Sequence, residues 1–224
     1  MLKAVITADL IHSSLLPGGY RAWCMEKIGE KLKALQVWAK MESEIYRGDS
    51  FQSLLHAPGS ALQVALVLKT YIKGLEPTQE EMKEMGYHAW TDFQKQQVDV
   101  RISLAIGEVD NETGKIGTSN GEAFRLSGRQ LDEMTGFKRS FGATSDDVYK
   151  QELETEAVLL DALLSRSTVS QCQVICFKLE GMTEMGIAEK LKINQSAVNQ
   201  RASSGSWYAM EAVVKRFEKI YAHG

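Results

Sequence analysis

The sequence predicts an α+β chain: a βαββαβ sheet of the split βαβ kind with helices on one face, followed by an all-helical unit with a helix-turn-helix pattern. Three observations lead there. Short segments rich in β-branched residues alternate with longer stretches of helical spacing, two of the strand-like segments carry an aspartate, and the composition changes from Ser145 onward. At 224 residues and 44% hydrophobic content the chain is long enough for one large or two ordinary domains. The divisions expected are 1–145 for the sheet domain, 146–164 for a connecting helix and 165–224 for the helical domain.

Residues 3–10 are rich in β-branched side chains and read as a buried strand. Residues 20–41 follow as a helix, with Trp23, Ile28, Leu32, Leu35 and Trp38 near helical spacing and Glu26, Lys27 and Glu30 on a solvated face. A hairpin, 43–48 and 51–56, is closed by Gly48-Asp49, one of the stronger short-range hairpin signals. Pro58 and Gly59 open the next helix, which runs through ALQVALVLKTYIKGL and stops near Gly74 and Pro77. Residues 76–97 are polar, with little apolar periodicity, and read as an insertion. Val98, Val100, Ile102 and Leu104 alternate with polar residues, so 98–109 is a strand of period two. The stretch DNETGKIGTSNGEA is a turn-rich loop, a helix spans about 122–135, and residues 137–143 are the last candidate strand.

Beyond Ser145 a helical stretch carries Glu152, Glu154 and Glu156 beside Val158, Leu159, Ala162 and Leu163. A second signature follows. A short helix over 183–191, a tight turn at 192–194 and a helix from Gln195 place Gly186, Ile187, Ala188, Leu191, Ile193 and Val198 where two helices cross closely. Val198 should face inward, leaving Gln195, Ser196, Asn199 and Gln200 outward, with Arg201, Lys192 and Lys190 as nearby phosphate-neutralising charges. Asn and Gln can pair with adenine edges, so duplex DNA is the expected partner. An ordinary solvated face used for protein contacts is the alternative. Trp207 is read as core.

The chemistry rests on Asp9, in KAVITADLIHSS, and Asp49, in SEIYRGDSFQSLLH. An acid in a sheet is costly unless something positive sits beside it. If the first strand pairs beside the hairpin, the two carboxylates converge, and hard oxygen ligands suit Mg²⁺ or Mn²⁺ holding a phosphate chain. The plain alternative is a capping aspartate after one strand and an ordinary turn in the other.

ITADLIHSS, YRGDSFQ, VRISLAIGEV and GEAFRLSGRQLDEM, in that order, resemble the catalytic domain of class III nucleotidyl cyclases, over about the first two thirds of the chain. The chain is similar, closer still, to the SatD-like bacterial proteins. The resemblance implies a ferredoxin-like, cyclase-like domain, metal ligands at Asp9 and Asp49, nucleotide-binding positions at Arg125 and Arg129, and half-sites completed in a homodimer. Arg129 stands at the transition-state arginine. Arg125 replaces the asparagine of that pattern, and Ile45, four residues before Asp49, replaces its base-selecting lysine or glutamate. The tail, over about 55 residues, resembles the sigma-region-4 or LuxR-type DNA-binding module.

Cys24, Cys172 and Cys176 offer no even framework and no Cys-x-x-Cys pair, so buried thiols in a reducing compartment are expected. No window is apolar enough to span a bilayer, and the start reads as a strand, so the expected location is cytoplasmic, without a membrane partner. Residues 162–224 hold 8 Lys and Arg against 5 Asp and Glu, behind an acidic body. That balance permits a nucleic-acid partner. Two functions follow. One is a DNA-binding transcriptional regulator whose degenerate cyclase-like domain senses a nucleotide or metal-phosphate ligand. The other is a metal-dependent nucleotidyl cyclase or related nucleotide-processing enzyme. Because Ile45 and Arg125 break the cyclase pattern, the sequence favours the regulator, with no cyclic product at a rate typical of cyclases.

Overall fold

The computed structural model describes residues 2–46, 48–87, 98–111, 116 and 120–222. Arg47 of the hairpin turn, residues 88–97 of the polar insertion and most of the loop over 112–119 lie outside the described residues.

Strand β1 (Leu2–Leu10) is followed by α1 (Gly18–Ala39), the hairpin β2 (Met41–Tyr46) and β3 (Ser50–Leu55), then α2 (Ala61–Lys73) and a short α3 (Gln79–Glu84). Strand β4 (Val100–Asn111) leads through a two-residue β5 (Asn120–Gly121) into α4 (Glu122–Gly136) and β6 (Phe141–Ser145). Helices α5 (Lys150–Arg166), α6 (Val169–Leu179), α7 (Glu184–Leu191), α8 (Gln195–Ser204) and α9 (Trp207–Tyr221) complete the chain.

The strands form a mixed sheet in the order β2-β3-β1-β4-β5. Strand β1 runs antiparallel to both β3 and β4, and β6 joins β4 in parallel. Alternation along β1 sorts its side chains. Ala4, Ile6, Ala8 and Leu10 enter the main core with Ile28 and Leu32 of α1 and Leu62 and Leu66 of α2. Val5 packs on the other side with Leu54 of β3 and Ala123 of α4. Helices therefore cover both faces, which corrects the expectation of helices on one face. The reason is α4, whose buried Ala123, Ser127 and Met134 make a stripe too small and mixed to read as apolar in the sequence.

The last expected strand moves four residues along, because α4 continues to Gly136 and Lys138 then takes a left-handed conformation, φ 55°. Within the expected insertion, α3 starts at a full capping box between Thr78 and Glu81. Helix α2 is buried almost all round. Its fully buried Lys69 donates to Asp99 Oδ1 and to the Val100 carbonyl, both at 2.6 Å, which pins the start of β4.

The C-terminal helices share the sheet's core: Ile175 and Leu179 of α6 and Met210 and Phe217 of α9 belong to the same cluster as β1. A smaller cluster of Val174, Ile187, Val198 and Ala202 joins α6, α7 and α8. A Cβ on Gly205, just after α8, would lie 2.7 Å from Ile175 Cδ1 and 3.0 Å from the Arg201 carbonyl, so a larger residue there requires the Ile175 side chain to shift. All three cysteines are buried and free, as expected. Among the described residues no helix is long and apolar enough to cross a membrane.

Candidate functional site

Sheet register assembles the site. Asp9 lies opposite Ser50 on β3 and opposite Arg101 on β4, so the three side chains form a row on the sheet face that also carries Val5 and Thr7. Arg101 Nη1 donates to both oxygens of Asp9, at 3.1 and 2.8 Å. Its Nε is buried without a partner. Asp49 accepts from the Ser13 hydroxyl at 2.6 Å and from the Ser50 hydroxyl at 3.3 Å. Backbone bonds hold the three segments together: Leu10 N–H donates to the Asp49 carbonyl at 3.0 Å, and Ile11 N–H to the Asp99 carbonyl at 2.9 Å.

Burial raises the pKa of Asp9 above its ordinary value of 3.8. Arg101 opposes this, while the charges of Asp49 and, more weakly, Asp132 push it further up. Asp9 is half-buried, and a carboxylate that its own arginine does not fully offset gains from added positive charge. Two carboxylates on adjoining segments are donors of the hard-oxygen kind that divalent cations take. No group of three or more His, Cys, Asp or Glu side chains suited to a metal occurs among the described residues, so ligands beyond this pair would have to come from elsewhere.

Next to this row a chain of hydrogen bonds crosses the same face. Tyr46 Oη donates to Gln52 Oε1 at 3.0 Å, Gln52 Nε2 to Thr7 Oγ1 at 2.8 Å, and the Thr7 and Ser127 hydroxyls bond at 2.9 Å. Glu44 belongs to this face, because it pairs with Gln52 in the β2–β3 register. Ile45 pairs with Phe51, a residue of the main core, and so stands on the opposite face. Counting four residues back from Asp49 therefore lands on a side chain that cannot meet anything beside Asp9. The neighbouring β2 residue on the face of Asp9 is Glu44, because side chains alternate along a strand.

Arg125 and Arg129 do not join the aspartates. Both are exposed, one turn apart on the side of α4 away from Ala123, Ser127 and Met134, and Arg125 is paired with Glu122. On α8, Val198 is buried as expected and Gln195, Ser196, Asn199 and Gln200 are exposed, with Arg201 half-buried. The Gln195 amide makes a long contact, 3.5 Å, with Glu184. Trp207 packs against the core, partly buried. Sequence reading missed Arg101 and Glu44. For Arg101 the available signal was a lone cation in a strand of alternating apolar residues, at the level of an acid in another strand.

No family model and no curated protein matches the chain. Similar solved structures include a bacterial light-regulated adenylyl cyclase, 14% identical, covering 64% of this chain and 75% of that one with a TM-score of 0.43. The guanylyl cyclase Cya2 is 15% identical, over 59% of this chain and 70% of that one, TM-score 0.41. An adenylate/guanylate cyclase/hydrolase from Silicibacter pomeroyi is 17% identical, over 63% of this chain and 85% of that one, TM-score 0.42. These neighbours are nucleotidyl cyclases and not DNA-binding regulators, and the reading of the chain as a transcriptional regulator is corrected accordingly.

Proposed function

We propose that the sheet face bearing Asp9 binds a nucleoside triphosphate with Mg²⁺ or Mn²⁺, and that the chain is a nucleotidyl cyclase or a related nucleotide-processing enzyme. The observation that carries this is the convergence of Asp9, Asp49 and Arg101 at one end of the sheet. Two carboxylates and a guanidinium with an unused buried donor suit a metal-bound phosphate chain better than either partner alone.

When bound, the cation would neutralise phosphate charge. Asp9 and Asp49 hold it, and Arg101 donates to phosphate oxygens. Gln52 and Glu44, further along the same face, stand where the nucleoside end extends. A carboxylate there accepts from the N–H edge of a base. Arg129 faces away from its own Asp9. It reaches a triphosphate only on a second copy, so the site is read as completed in a homodimer, in keeping with the half-site character the resemblance implies. The βαββαβ order with β1 central supports a ferredoxin-like sheet domain over 1–145. Residues 146–164 are then a connecting helix, and 165–224 a helix-turn-helix-shaped unit whose role is packing and protein contact.

The test is incubation of the full chain with Mn²⁺ and ATP or GTP, with products separated by chromatography. The reading expects a metal-dependent product that disappears in Asp9→Ala and Asp49→Ala. Unchanged nucleotide, or a product retained in both variants, would remove it.

A further inference from the structure

Away from the nucleotide face, a groove of about 460 Å³ opens between the end of α4 and α5, beyond β6. Its size falls within the roughly 300–1,000 Å³ of small-molecule sites. The lining is mixed: four apolar side chains stand among Gln130, Glu133, Arg139, Gln151, Glu154 and Thr155. Met134 is buried, and Phe137, Val158 and Leu159 are 75%, 48% and 62% exposed.

The groove also holds a charge that the protein leaves unmet. Arg139 Nε is buried without a hydrogen-bond partner, and Nη2 reaches the Phe141 carbonyl at 3.5 Å, the outer limit of a bond. Among the described residues Arg139 makes no ion pair. Of the two acids in the lining, Glu154 accepts from the Thr144 hydroxyl at 2.7 Å and Glu133 is exposed, and neither bonds Arg139 directly. A half-buried guanidinium with no direct anion, beside the exposed Phe137, Val158 and Leu159, is the complement of a carboxylate on an apolar body.

We propose that this groove binds a small organic carboxylate with an apolar body. The carboxylate lies on Arg139, and the body rests against Phe137, Val158 and Leu159. This site is independent of the nucleotide reading and stands if that reading fails.

Titration of the full chain with hexanoate and phenylacetate, followed by NMR or calorimetry, tests it, with hexanamide and phenylacetamide as uncharged controls. Saturable binding of the acids is expected, with the amides weaker by about tenfold or more, the worth of a charge-assisted contact. Arg139→Met and Leu159→Glu should each weaken the acids similarly. Leu159 is exposed, so its variant decides the matter if Arg139→Met does not fold. Absence of saturable binding by either acid, equal binding of the amides, or acid affinity unchanged in the folded variants would overturn the proposal.

Discussion

Arg101 and Asp9 lie 92 residues apart in sequence, yet Nη1 of the arginine bonds both oxygens of the aspartate across neighbouring strands. The pair does two jobs that a substitution can separate. Arg101 offsets a half-buried carboxylate, and by occupying it competes with any cation Asp9 would hold.

Arg101→Met is therefore expected to act in opposite directions on two titrations. Mn²⁺ alone should bind more tightly, because its competitor for Asp9 is gone. Mn²⁺ with a nucleoside triphosphate should bind about tenfold more weakly or worse, because a charge-assisted phosphate contact is lost. Calorimetry on both, with wild type alongside, reads the split. Parallel changes in the two titrations would show that Arg101 serves packing alone.

The base end of the face gives a paired test. Glu44→Ala should alter the preference between ATP and GTP, whereas Ile45→Ala should leave it as in wild type, since Ile45 stands on the other face of β2. Competition binding between the two nucleotides measures this. Equal effects of both substitutions would place the base elsewhere.

The contrast between these neighbours shows how far the sequence could be read. Asp9 and Asp49 were legible because each is an acid at the end of, or just before, a strand, and the hairpin turn fixes where the second lies. Side-chain parity was not legible. It depends on the pairing of Tyr46 with Ser50 at the end of the hairpin, and one residue of difference exchanges Glu44 for Ile45. Arg101 was hidden for another reason: the pairing of β1 with β4 is set by tertiary packing, and period-two alternation does not name the partner strand. In α4 the buried Ser127, bonded to Thr7, occupies a position that an apolar count scores as surface.

Stability should depend on Lys69 and Asp99 in a pH-dependent way. Burial lowers the Lys69 pKa from its ordinary 10.5, and Asp99 beside it works against that. Asp99→Asn leaves a buried ammonium without its anion, and breaking such a pair costs about 3–5 kcal/mol. Between the lowered folded pKa and 10.5 the unfolded chain holds the extra proton, so this group's contribution to stability rises with pH. The deficit of Asp99→Asn relative to wild type should thus shrink between neutral pH and about pH 9.5, as read by urea unfolding. A deficit independent of pH would show that the loss does not come from the Lys69 charge.

Titration of Mn²⁺ with a non-hydrolysable nucleoside triphosphate into wild type, Asp9→Ala and Asp49→Ala tests the carboxylate pair most directly. Circular dichroism would confirm that each variant is folded. The expected result is saturable, cation-dependent binding by wild type that falls at least about tenfold in each variant, consistent with loss of a charged ligand. Identical titrations for all three proteins would contradict it.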